Sequence, residues 1–149
     1  MANLQDFKKI ALQRLKTVDV LMQAKEWGMA AYMLGFVLEC VLKASACKAL
    51  SLAVYPEQGK TKNHEIINYF RTHNFDMLLI VSGTSDLFGL TGKGFDGWSG
   101  FTQEYTGRWT DIRYEILTQF NEQKVLRLYN FLTDPARGII TLIESEKRW

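Results

Sequence analysis

Residues 30–44 of this chain, Ala-Ala-Tyr-Met-Leu-Gly-Phe-Val-Leu-Glu-Cys-Val-Leu-Lys-Ala, are apolar on nearly every side, and only Glu39 and Lys43 interrupt them. A helix that is apolar all round has to be buried all round. Its two charges stand four residues apart, so they share one helical face inside or beside a core. Opposite charges in such a place cost desolvation unless they are well paired, and they commonly mark an interface or a site. The rest of the chain fits a protein built around one such rod. With 149 residues, 47 % of them hydrophobic, and only two prolines, it reads as a single compact helical domain with a core of its own.

Charge narrows the function classes. Lys and Arg number 18 against 16 Asp and Glu, a net of +2, which is not the strongly basic footprint of a dedicated nucleic-acid binder. The longest uncharged run in the central segment, residues 27–38, falls short of the ~20 residues that span a bilayer. The N-terminus becomes charged and amphipathic at once, without the apolar region of a signal peptide. Cys40 and Cys47 lie seven apart within one helical pattern, a geometry unsuited to a disulfide, and read as core thiols of a reducing compartment. The expectation is a cytoplasmic protein with no membrane segment.

Periodicity supplies the elements. Leu4, Phe7, Ala11, Leu15, Val18 and Met22 recur at three- and four-residue steps and predict an amphipathic first helix ending near Gly28. A second helix follows from about residue 29 to 53, and Pro56 and Gly59 punctuate the turn after it. Asn63 can cap a third helix over 64–72, and residues 77–81 make a short apolar helix. Between residues 82 and 107 lie seven of the chain's 11 glycines, mixed with Phe88, Phe95, Trp98, Phe101 and Tyr105. That composition predicts a long loop folded down onto the bundle by its aromatic residues. Val125, Leu128, Leu132, Ala136, Ile139 and Ile143 then keep helical phase across Pro135, which predicts a break near Thr133 with Asp134 available as a new cap. The fold class is all-α: an antiparallel bundle of four to six helices with a Gly/aromatic-rich loop at about 82–107.

Taken in order, several motifs resemble the HEPN family of small helical-bundle proteins, found mainly in prokaryotes. They are the amphipathic first helix; Tyr32-x-x-Gly35-x-x-x-Glu39-x-x-Leu42-Lys43-Ala44; Asn63-His64-Glu65-Ile66; the glycine-aromatic loop; and Trp109-x-x-x-Arg113-Tyr114. The resemblance covers essentially the whole chain. It implies a bundle that dimerises and an association with nucleotides or RNA: many relatives are ribonuclease toxins, and others pair with a minimal nucleotidyltransferase. The ribonuclease members carry an Arg followed by His after four to six residues. Here the Arg positions before His64 hold Glu57, Gln58 and Gly59, those before His73 hold Ile66, Ile67 and Asn68, and the His positions after Arg113 hold Thr118, Gln119 and Phe120. The motif is absent.

Four groups of residues are candidates for chemistry. Glu39 and Lys43 are either an intrahelical ion pair or a phosphate-binding lysine with an orienting carboxylate. His64 is either a cap-region residue or an acid–base group, and the second role needs a partner acid or nucleophile. His73 reads as a helix C-terminal residue favoured there by the dipole. Trp109 and Arg113, one turn apart on a helix, place the guanidinium over the indole; with Tyr114 they form either a docking anchor or a platform for a nucleotide or a single-stranded base. Lys60, Lys62, Lys93 and Arg108 add charge, diluted by Asp111 and Glu115. Residues 92–97 match G-x-G-x-x-G, but neither a strand before nor a helix-forming run after them supports a dinucleotide fold. Two histidines without a third ligand at helical spacing make no metal site, and no cofactor is implied. The expected protein is a non-catalytic, HEPN-like homodimer, joined through its second and C-terminal helices. The resemblance implies that it associates with nucleotides or RNA, as the helical partner of a nucleotidyltransferase in a defence or toxin–antitoxin pair. The alternatives are an unconventional ribonuclease using Arg113, Tyr114 and His64, and a protein-interaction module whose loop docks a partner.

Overall fold

The computed structural model describes residues 2–56 and 64–149, with the side chains of residues 64–66 outside the description. Among the described residues there is no strand, and the chain is helical as its periodicity predicts.

Helix α1 (Leu4–Gln23) opens on a capping box: Asn3 accepts from the Asp6 amide at 3.0 Å while the Asp6 carboxylate accepts from the Asn3 amide. It buries Phe7, Ala11 and Val18 against α2 (Trp27–Ala49), the central rod. At 23 residues α2 is about 34 Å long. It is long and apolar enough to cross a membrane despite Glu39 and Lys43, and most of it is enclosed by its own chain. From Val37 to Cys47 every residue is buried, both cysteines included.

The remaining elements wrap this rod. Helix α3 (His64–Phe70) leads to α4 (Phe75–Ser82), which Asn74 caps by accepting from the Met77 amide at 3.0 Å, and α4 packs on α2. A 3-10 turn (Trp109–Tyr114) also packs on α2, with Trp109 over Gly35, and α7 (Glu122–Thr133) closes the bundle. Helix α8 (Ile139–Ser145) folds back on α7.

The glycine-aromatic segment departs from the expected loop. Its aromatic residues are packed down, with Phe88, Trp98 and Phe101 buried, but much of it is helical: α5 (Ser85–Phe88) and α6 (Phe95–Gln103). Burial of Trp98 and Phe101, three apart on one face, outweighs the poor helix propensity of Gly97 and Gly100. Gly100 is required by contact, because a Cβ there would meet the Phe131 ring of α7. The G-x-G-x-x-G run therefore enters a helix, contrary to expectation, although α5 and not a strand precedes it. With α5, α6 and the 3-10 turn included, nine helical elements replace the expected four to six among the described residues. The break at Pro135 stands where expected. Asp134 accepts from the amides of Ala136 and Arg137, both at 2.8 Å, so it caps the connecting turn, and Gly138 holds the cap position of α8.

Candidate functional site

Glu39 is the pivot of the polar interior. One carboxylate oxygen meets Lys43 Nζ at 2.9 Å, one turn along α2, and the other meets His73 Nδ1 at 2.8 Å. Lys43 is buried, with its ammonium 5.1 Å from the Tyr55 ring centre and 5.7 Å from that of Phe7. The rings supply a negative face to the cation and shelter it from water. Tyr55 is fixed in turn by donating its hydroxyl to the Phe70 carbonyl at 2.7 Å.

His73 belongs to the link between α3 and α4, not to a helix C-terminus as the sequence suggested, because α3 stops at Phe70. Its backbone carbonyl accepts from Trp109 Nε1 at 2.7 Å. Trp109 is buried, lies parallel to Phe75 with centroids 5.5 Å apart and planes 6° apart, and leans on Tyr32 at 5.5 Å. Its indole also fills the space over Gly35, where a Cβ would stand 2.6 Å from Trp109 Cε3. So the 3-10 turn, the α3–α4 link and the middle of α2 are held together by one indole, one imidazole and one carboxylate.

Beside them opens a cavity of about 560 Å³ whose walls include Arg71, His73, Phe75, Tyr105, Arg108 and Trp109. Its base is aromatic and apolar. Its rim carries two exposed guanidiniums and the His73 ring, whose side chain is 58 % exposed. Asp76 adds one carboxylate to the same wall. With Nδ1 taken by Glu39, Nε2 is the nitrogen left for a visitor, and the carboxylate fixes the ring's orientation. The Tyr105 hydroxyl faces the protein instead, donating to the Ala31 carbonyl at 2.8 Å, and burial raises its pKa well above the ordinary phenol value.

The residues singled out from sequence are therefore divided. Glu39, Lys43 and Trp109 gather around His73, yet neither Glu39 nor Lys43 lines the cavity. Arg113 does not lie over the Trp109 indole. A 3-10 turn has three residues per turn, so positions four apart do not stack. Its guanidinium sits 4.8 Å from the Tyr114 ring centre and reaches the Tyr32 hydroxyl at 3.4 Å. The side chain of His64, and Lys60, Lys62 and Asn63, the expected cap of the third helix, lie outside the described residues. Sequence reasoning missed Arg71, Tyr105 and the Glu39–His73 link. That contact joins residues 34 positions apart, and nothing local announces it.

Compared with protein-family models, curated proteins and solved structures, the chain matches none at a significant level.

Proposed function

We propose that this chain is a non-catalytic, HEPN-like module that binds a nucleotide or a short stretch of single-stranded RNA in the cavity beside His73. One observation carries the reading: Arg71, Arg108 and a carboxylate-oriented imidazole surround an aromatic-based recess. Guanidiniums suit phosphate oxygens through their planar fork of donors, and aromatic surfaces suit a base in a sequence-tolerant way. Glu39 takes no part in the contact; it holds His73 and is itself neutralised by Lys43. In this reading the module serves a nucleotidyltransferase in a two-component pair, a role that rests on the motif resemblance.

Titration of mononucleotides and a short single-stranded RNA at several salt concentrations tests it. Binding should weaken with salt, with a log–log slope of about −0.7 per phosphate contacted. Replacing Arg71 and Arg108 together by Ala should flatten that slope by roughly 1.4 if each neutralises one phosphate. Salt-independent binding, or none, removes the proposal.

The Glu39–His73 contact favours a second reading, an unconventional ribonuclease. A carboxylate on Nδ1 prepares Nε2 to take a proton from a ribose 2′-hydroxyl. RNA cleavage lost in His73→Gln with binding retained would select this reading; binding without cleavage selects the first.

A further inference from the structure

Two oxygen-bearing side chains on the wall of the His73 cavity are left without a partner in the protein. Thr110 is only 6 % exposed, and its hydroxyl has no hydrogen-bond partner among the described residues. A buried hydroxyl left unpaired costs free energy. Unlike Ser45 Oγ, it is not fully enclosed, and the space it borders is the cavity. Asp76 is exposed on the same wall, and no cation reaches its carboxylate among the described residues. The α4 cap does not use it, since Asn74 fills that place. An anion drawn to Arg71 and Arg108 is repelled by Asp76, so a ligand that is only an anion gains nothing from it. The stacked rings of Phe75 and Trp109 bring the two groups to one cavity: Asp76 follows the first ring in the chain and Thr110 the second.

We infer that Asp76 and Thr110 read the 2′-hydroxyl of a ribose, so that the cavity selects ribonucleotide units over deoxyribonucleotide ones. The inference rests on the nucleotide site proposed above. There a base lies on the aromatic floor and a phosphate at the cationic rim. The sugar is the covalent link between them, so groups on the wall between floor and rim meet the sugar. A carboxylate only accepts, and a sugar hydroxyl is the donor it lacks. The 2′-hydroxyl both donates and accepts, so it can donate to Asp76 while accepting from the Thr110 hydroxyl. A volume of about 560 Å³ suits a single nucleotide unit. The 3′-hydroxyl is esterified within a strand, whereas the 2′-hydroxyl is free both in a mononucleotide and in RNA. It is therefore the one sugar group that serves either ligand.

Calorimetric titration of the full chain is the test, with adenosine monophosphate against its 2′-deoxy form and a short oligo-adenylate RNA against the same DNA. The ribo form should bind about tenfold more tightly or better, and the pair that shows it distinguishes a free nucleotide from a strand. Thr110→Val keeps the side-chain shape and removes an unpaired hydroxyl, so the fold should be retained by circular dichroism while the ribo-to-deoxy ratio falls towards one. Asp76→Ala should strengthen binding of both forms by removing a repulsion, and it too should bring the ratio towards one. Equal binding of the two forms by the natural chain overturns the inference and leaves the nucleotide site standing. A ribo preference that survives both substitutions overturns it as well. So does an Asp76→Ala variant that alters the choice between adenine and uracil nucleotides but not between the sugars, which would assign the carboxylate to a base. Binding of neither form removes the inference and the nucleotide site together.

Discussion

Each oxygen of the Glu39 carboxylate has its own nitrogen partner, a buried ammonium on one side and a half-exposed imidazole on the other. Removing Lys43 alone leaves the carboxylate buried without its counter-charge, whereas replacing both charges by apolar groups removes the desolvation cost with the attraction. Lys43→Met should therefore destabilise the fold by about 3–5 kcal/mol, and adding Glu39→Leu should recover a large part of that loss. Urea denaturation of the two single variants and the double variant reads the cycle, and a double variant as unstable as the sum of the singles would contradict it. Gly35 makes a separate demand. An added methyl would overlap the Trp109 indole, which Phe75, Tyr32 and the His73 carbonyl already hold from other directions. Gly35→Ala should cost about 1–3 kcal/mol through overpacking, and shifted tryptophan emission in the folded state would report the displaced ring.

Helix stops separate what the sequence displayed from what it concealed. Apolar steps of three and four exposed α1 and the α7–α8 break, since those steps are set by which face must be buried, while α2 and α4 showed as runs apolar on nearly every side. The ends were obscure because the left-handed positions after α1 and α2 hold Lys25 (φ 58°) and Ser51 (φ 52°), not glycine. At the first of these, Glu26 N bonds Leu21 O at 2.9 Å and Lys25 N bonds Met22 O at 3.0 Å, the paired closure of a Schellman turn. At the second, Leu52 N reaches Cys47 O at 2.8 Å, so α2 ends short of residue 53. With no glycine signal, a reader carries α1 on toward Gly28. The cavity was hidden for a related reason: its walls come from the α3–α4 link, α6 and the 3-10 turn, and only packing on α2 assembles them. Exposed Lys25 offers a direct check. Lys25→Gly relieves a left-handed side-chain penalty but gives the unfolded chain more freedom, and the first term should win by about 0.5–1 kcal/mol. A thermal midpoint lowered by this change would mean that Lys25 has a role beyond the turn.

At the scale of the whole molecule, the last helix and its tail close the bundle by reaching back to its start and its middle. Lys8 of α1 lies 3.5 Å from the Glu144 carboxylate and 4.9 Å from the Trp149 ring centre, and the Trp149 indole N–H donates to Glu144. Arg148 pairs with Asp86 of α5 and donates to the Gly83 carbonyl at 3.1 Å. These ties make the closure acid-sensitive. The Trp149 hydrogen bond, aided by Lys8, lowers the Glu144 pKa below its ordinary value of 4.5, and Arg148 lowers that of Asp86 below 3.8. A depressed folded-state value means that the stabilisation is fully present above the unfolded-state pKa and is lost as pH falls through the folded one. Both carboxylates are more than half exposed, so solvent screening holds each contribution to no more than about 1 kcal/mol. Glu144→Gln should consequently be less stable than the natural chain near neutral pH. The gap should close as the pH drops below about 4.5, where the natural side chain takes up its own proton and comes to resemble the amide. Denaturation midpoints measured for both proteins from pH 7 down to pH 3 would show converging curves; parallel curves would mean that Glu144 contributes shape and not charge.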